Sequence, residues 1–477
     1  MSRDLLAAEL LLLRRDRAFL LGCALACLLA LYAVWSGLGW QQSRALAAIE
    51  GSRAAAQAVR REAGQLAAIE TGELPISAAA AAGLPHVVRT EFALPMQPLS
   101  GLAIGEAELR PTYAAISATT RAHEIFRFQE VDNPVLLGWG RFDLAFVLIY
   151  LLPLLLAGLG CSVLSADRET RTLQMVLSQP VTAARLATLR ITLRGAALAF
   201  ATALGAGIAF LLAAPDRGLG AVGGTALLPA LSLVAVTLAW LAFWAALTLW
   251  VVARNRSSES NALTLIVVWT VLVLVLPAIS TLLARHTSPV PSRLEYIVSA
   301  RAAENAASQQ GRMLLQNYLL DHPELEATRG DAVSPFIKTF VLVQREVERT
   351  VAPVVARFES AERAQRTTRD TLRWLSPRDL AAEAMLTAAG NDAHRHARFE
   401  EQARQLRIDW LAAVQNAIVA GRRLGSAEYA ALPRAEFREP PRGSFVARQL
   451  AALLALLAFA ALAALGARRS FRVFSPG

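Results

Sequence analysis

Apolar residues in this chain are gathered into blocks instead of being spread at helical or strand period. Six blocks stand out, at 18–38, 142–164, 191–213, 225–253, 262–284 and 445–465. Each is close to or above the roughly 20 residues that a helix needs to cross a bilayer. A polar stretch, 39–141, separates the first two blocks, and a longer one, 285–443, separates the last two. The pattern predicts an all-α membrane protein with six transmembrane helices and two large, mainly helical inserts on the same side. Ahead of the first block, Ser2–Leu13 is amphipathic and closes on Arg14, Arg15 and Arg17, which predicts an interfacial helix within 1–17. Acidic residues in that leader, a long apolar run and no clear Ala-x-Ala exit argue against a cleaved signal peptide.

The polar stretches have periods of their own. Leu46, Ile49, Ala56, Val59, Ala63 and Leu66 keep a roughly heptad rhythm, so the first span is expected to continue beyond the membrane as a stalk. Pro75, Pro85, Pro95, Pro98 and Pro111 then mark an irregular segment with a few short strands. It closes at Asn133–Pro134 and Gly138–Trp139–Gly140, a turn and an aromatic anchor before the second span. In the second insert, Arg301–Leu320, Phe336–Trp374 and Ala393–Ala420 read as long helices, with breaks expected near Pro323, Pro353 and Pro377. Pro153 and Pro277 fall inside spans. Kinks are expected there, with neighbouring helices re-satisfying the freed carbonyls.

Composition sharpens this picture. Of the 477 residues, 55% are hydrophobic and 18% charged, with mean hydropathy +0.40; a soluble domain carries about 25% charged residues. The net charge of +10 raises nucleic acid as a partner. The arginines, however, gather at span ends and along polar helices, with no aromatic-interleaved basic groove, so no nucleic acid is expected. Arginines flank the membrane at the N-terminus, after the second span, after the fourth span and at the C-terminus, whereas the short loop Pro215–Gly218 carries one. By the positive-inside rule both termini are cytoplasmic, including the tail 466–477, and the inserts lie outside the cell inner membrane.

Energy supply is informative through what is missing. The sole lysine, Lys338, follows Ile337 in a predicted insert helix, so no P-loop exists and no cofactor is assigned to this chain. The spans carry almost no mid-membrane charge; Arg141, Asp143 and Arg194 lie near span ends, which argues against an ion-coupled carrier. Cys23, Cys27 and Cys161 all fall in apolar runs, away from any aqueous disulfide. His394 and His396, near Asp392 and Glu400, stand two apart and point away from each other on a helix, so no metal site is assigned. His123–Glu124 lacks the second histidine of a zincin motif, and no catalytic constellation emerges.

One loop, 165–190, stands apart. Between two apolar blocks, Asp167 to Pro180 contains Leu173, Val176 and Leu177 at three- and four-residue spacing, a short helix with one apolar face. Ser178, Gln179 and Pro180 stop it, and Thr182 is placed to cap the next helix from Ala183. Such an element suits docking to a soluble partner, and it reads equally as an ordinary interfacial loop helix.

Glu169, Thr172, Leu173, Leu177, Ser178 and Pro180 resemble the cytoplasmic loop after the second span of ABC-2 type transporter permeases, roughly Glu…Gly-Thr-Leu…Leu-Ser-x-Pro. Arg171 stands where that pattern commonly has glycine. Asn133, Pro134, Leu137, Gly138, Phe142, Asp143 and Phe146 are similar to a subgroup with large external inserts. So are Leu375, Ser376, Pro377, Ala388, Ala389, Gly390, Asn391, Asp392, His394 and Phe399. The resemblance implies a permease subunit exporting a substrate, working as a dimer with itself or a second homologous permease. It further implies a separate ABC ATPase subunit that holds ATP and Mg. Glu169, Thr172, Leu173, Val176, Leu177, Ser178 and Pro180 would then couple the chain to that ATPase. A mechanotransmitter acting on envelope proteins without transport, and a membrane-anchored receptor or scaffold, remain as alternatives.

Overall fold

The computed structural model describes residues 3–121, 124–126, 141–213, 224–325 and 330–473. The predicted features at His123, Asn133–Pro134, Gly138–Gly140 and Pro215–Gly218 lie outside them. The described residues are 78% helical. Among the described residues, six helices are long and apolar enough to cross a membrane. With a short leading helix α1 (Arg3–Arg15), they are α2 (Arg17–Glu70), α3 (Leu144–Glu169), α5 (Ala183–Ala213), α6 (Gly224–Val252), α7 (Ser258–Thr287) and α14 (Arg442–Arg472). Several extend beyond their apolar blocks, because helical backbone continues into polar flanks that hydropathy does not count.

α2 runs unbroken for 54 residues. Asp16 starts it, its carboxylate accepting a hydrogen bond from the Phe19 N–H at 3.1 Å. The bundle interior joins Ala26, Ala30 and Val34 of α2 with Leu152 and Leu156 of α3, Leu198 of α5, Trp240 and Trp244 of α6, and Leu456 of α14. Small residues let backbones approach closely, the usual device where lipid supplies no hydrophobic drive between helices. At the α2–α5 crossing, a Cβ on Gly205 would fall 2.0 Å from the Cys27 carbonyl oxygen.

The two span prolines are accommodated in the same way. Pro153 follows a π-helical turn, Val147–Leu151, and Pro277 follows another, Thr270–Val275. A π turn shifts the hydrogen-bond register by one residue, and the Pro153 nitrogen has no hydrogen to give Leu148. The Trp240 Nε1–H donates to that Leu148 carbonyl instead, at 3.0 Å.

The two inserts do not fold separately. Leu66 at the far end of α2, Phe92 of β1 (Arg89–Ala93) and Ile116 of β2 (Tyr113–Ser117) share one core with residues of the second insert. These are Val341 of α10 (Pro335–Leu372), Phe399 and Trp410 of α12 (Ala393–Ala420) and Tyr429 of α13 (Ser426–Ala430). The strands pair antiparallel, with Thr90 opposite Ile116 and Phe92 opposite Ala114. A lone hairpin is marginal in water; this one buries alternate positions against α12.

Within this polar domain three expectations change. The segment 301–320 is two helices, α8 (Arg293–Gln309) and α9 (Gly311–Asp321), divided where Gly311 packs closely on Thr339 of α10. Pro353 breaks nothing: α10 passes through it. Pro353 is exposed, so water can serve the carbonyl it frees, and packing along α7, α8 and α9 holds the helix. Finally, α11 (Pro377–Ala389) belongs to the bundle. Its Leu380, Ala381, Ala384, Met385 and Ala388 join the transmembrane core beside α6 and α14.

Substituting Gly205 by alanine should lower stability in detergent by about 1–3 kcal/mol, because two backbones must part. Gly207, on the same helix with open space around it, should tolerate alanine without loss. Thermal unfolding of the two variants side by side checks this.

Candidate functional site: the loop at the termini end and the polar joint at the domain end

Ion pairs and hydrogen bonds gather α1, α5, the end of α3 and the turn between α6 and α7 at the bundle end that carries both termini. The Arg190 guanidinium of α5 is the centre. Its Nε donates to both oxygens of Glu9 at 2.9 Å, and its Nη1 donates to Asp167 at 2.5 Å and the Val163 carbonyl at 2.7 Å. Arg190 is 11% exposed and Glu9 9%. Arg168 reaches across to the α6–α7 turn, donating to the carbonyls of Asn255 at 2.8 Å and Arg256 at 2.7 Å, and to the Asn255 side chain. Glu169 accepts from the backbone N–H of Ser258, the first residue of α7, at 2.9 Å. A carboxylate there faces the positive end of that helix.

The chain then turns on Arg171, whose φ of +62° is the left-handed region that glycine takes most easily. Thr172 closes the turn, its N–H and hydroxyl both donating to the Asp167 carbonyl, at 2.8 and 3.1 Å. The short helix α4 (Leu173–Leu177) follows. Ser178 and Pro180 end it, and the Thr182 hydroxyl accepts from the Arg185 N–H at 3.3 Å as α5 begins.

The apolar face of α4 points inward. Leu173 is 2% exposed, and it packs with Leu186, Ala187 and Ile191 of α5 and Val252 of α6, with Val176 and Leu177 half-buried beside it. The amphipathic pattern predicted a face, and that face is occupied by the chain's own bundle. What a partner could meet is the other side: Glu169, Arg171, Thr172, Gln174, Met175, Ser178 and Pro180 are exposed, Met175 at 76%. Sequence reasoning missed Met175, Arg168 and Arg190. Met175 was detectable as a large apolar residue set opposite Leu173 on the helix; Arg190 gave no signal, because its partners come from 181 and 23 residues away.

At the domain end, the stretch from Pro377 to Phe399 forms a buried polar joint. Gly390 ends α11 in a left-handed conformation, φ +76°. The Asn391 side-chain amide donates to the carbonyls of Ser100 and Ala103 at 2.8 and 2.7 Å. Asp392 accepts from the N–H groups of His394 and Arg395 at 3.1 Å, capping α12, and from Arg448 of α14 at 3.1 Å. Arg395 grips both oxygens of Glu439 and donates to the carbonyls of Gly390 and Pro95. His396 is 1% exposed, with Nδ1 3.1 Å from the Asp392 carbonyl. Burial pushes its pKa down to about 4. His394 faces Asp370 at the surface instead, 3.5 Å away. Among the described residues no group of three or more metal-ligating side chains occurs.

A family model described as a domain of unknown function (DUF3526) matches residues 293–438. That span lies within the second polar stretch and includes α11 and the joint. No curated protein and no solved structure matches the chain.

Replacing Arg190 by alanine leaves Glu9 and Asp167 without their cation and should cost about 3–5 kcal/mol, the usual penalty for half of a buried pair. Thermal unfolding reads this, and Arg190→Lys should recover part of the loss. His396 predicts a pH effect. Its folded pKa lies below the unfolded value of about 6.5, so its contribution is complete above pH 6.5 and fades as pH falls toward 4. Between those limits the difference in stability from His396→Asn should change by about 3 kcal/mol, measured by denaturant unfolding at each pH.

Proposed function

We propose that this chain is the permease subunit of an ABC-2 type transporter, exporting a substrate across the cytoplasmic membrane under power from a separate ATPase. The observation that carries this reading is the loop at 169–180: its sequence follows the permease coupling-loop pattern, and Arg171, standing where that pattern has glycine, adopts glycine's left-handed backbone. The termini end is then cytoplasmic and the polar domain lies outside. ATP and Mg belong to the ATPase, which docks on the exposed side of α4, and the permease works in pairs, with itself or with a second homologous subunit. A push on Met175 and Ser178 has two stiff routes inward: Arg168 into the α6–α7 turn, and Asp167–Arg190 into α1 and α5.

The fusion of both inserts into one domain, continuous with α2, favours a second reading. The same motor would flex that domain against an envelope protein, and nothing would cross the membrane.

The test is affinity purification from its native membrane in mild detergent. A stoichiometric ATPase, reduced at least about tenfold by Met175→Asp while helix content is kept, is the expected result; tenfold corresponds to roughly 1.4 kcal/mol of lost docking energy. A chain that purifies without an ATPase, or that keeps both the ATPase and its activity after Met175→Asp and Glu169→Ala, sinks the assignment.

A further inference from the structure

A cavity of about 240 Å³ opens at the domain end of the bundle, between the Arg373–Trp374 turn, α11 and the first turns of α14. Leu380, Ala384, Ala447, Ala451 and Ala452 give it apolar walls. Its charged groups are two arginines and a carboxylate, held in unequal balance. Arg448 is paired with Asp392 at 3.1 Å, and Arg373 with Asp370 at 3.3 Å. Glu383 is left over. Its nearest cation is Arg373 at 4.0 Å, and it accepts no hydrogen bond from the described residues.

The arginines are not used up. Each commits only its Nη1 to a hydrogen bond, Arg373 with Asp370 and Arg448 with Asp392, and no other hydrogen bond from either guanidinium occurs among the described residues. The Glu383, Arg373 and Arg448 side chains that line the cavity keep 28%, 19% and 27% of their surface exposed. Glu383 calls for a hydrogen-bond donor with positive charge. The remaining guanidinium N–H groups call for an anionic acceptor.

We propose that this cavity binds a phosphate ester bearing a primary ammonium, with the ammonium on Glu383 and the phosphate on Arg373 and Arg448. The same chemistry is offered by a phosphatidylethanolamine headgroup in the bilayer and by soluble phosphoethanolamine. The site sits where the span α14 meets the polar domain, at headgroup level for a bilayer around the bundle. Leu450 and Leu454, exposed on α14 just beyond Ala447 and Ala451, give an acyl chain a path along the helix.

Protonation sets the affinity. Burial raises the Glu383 pKa to about 7, aided by Asp392 and Asp370 and opposed by Arg373 and Arg448. An ammonium binds the ionised carboxylate, so binding strengthens as pH rises through 7. From about pH 8 to about pH 6 the ionised fraction falls roughly tenfold, and affinity falls with it.

The full chain in dodecyl maltoside is titrated with dihexanoyl phosphatidylethanolamine, dihexanoyl phosphatidylglycerol and phosphoethanolamine, with binding read by calorimetry at both pH values. The expected result is saturable binding of the ethanolamine lipid, about tenfold tighter than the glycerol lipid and about tenfold weaker at the lower pH. Glu383→Gln should weaken it and erase the pH dependence; Ala451→Phe, which fills the cavity, should abolish it. Binding of the lipid alone makes the membrane the source, and equal binding of phosphoethanolamine makes it the aqueous phase; each supports the site. Equal affinity for both lipids, binding untouched by either variant in folded protein, or no binding at all, which means a cavity holding water only, overturns the proposal.

Discussion

The structure depends on satisfying polar groups where a water-facing domain is seated on an apolar bundle. An unmatched buried donor or acceptor costs about 1–3 kcal/mol, and a seat of this size exposes several. Asn391 meets the demand with one side chain, bridging the Ser100 and Ala103 carbonyls. Asp392 starts α12 and ties it to α14. Arg395 reaches back to Pro95 and across to Glu439. Three segments, around 95–104, 390–396 and 439–448, far apart in the chain, are thereby held in one register. Gly390 makes the turn possible: its backbone is left-handed, and a Cβ there would meet Gln97 at 2.4 Å.

The opposite end solves a related problem with charge. Arg190 sits between Glu9 and Asp167, so the leading helix and the end of α3, where the loop begins, are fixed to α5 by one planar fork. Leu173 adds an apolar peg under the same loop. The loop is therefore stiff, and its outward surface is defined by what the bundle has not used. Burial of Leu173 and exposure of Met175 are two consequences of the same helix rotation.

Much of the bundle was legible because hydropathy is a property of each segment. A block of about 20 apolar residues states its own environment, and six such blocks correspond to six helices long and apolar enough to cross a membrane. The rest depends on who meets whom. Period told that α4 has an apolar face, but Leu186 and Ile191 decide where that face turns. α11 is too short to read as a span, and Asp379 and Glu383 disguise it, yet Leu380, Ala384 and Met385 bury it among the transmembrane helices. The union of the inserts was equally hidden, since Phe92 and Phe399 stack at 5.2 Å from more than 300 residues apart. At Pro153 the proline was visible and the Trp240 donor that compensates it was not.

α2 connects the two ends. At about 1.5 Å per residue its 54 residues span roughly 80 Å, from the cap at Asp16 to Leu66 in the domain core. Along the way it touches its neighbours backbone to backbone. Gly205 lies against the Cys27 carbonyl, and Gly37 lies against Gly101, where a Cβ would come within 1.9 Å of the carbonyl oxygen. Gln41 locks the second contact, accepting from the Gly101 N–H and donating to the Gln97 carbonyl. Side chains can change rotamer to absorb a small shift; contacts made by glycine backbones have nothing to rotate. A displacement of α2 at the termini end is therefore carried to the domain as motion of the whole helix, and the polar joint, whose every bond is directional, must move with it or break.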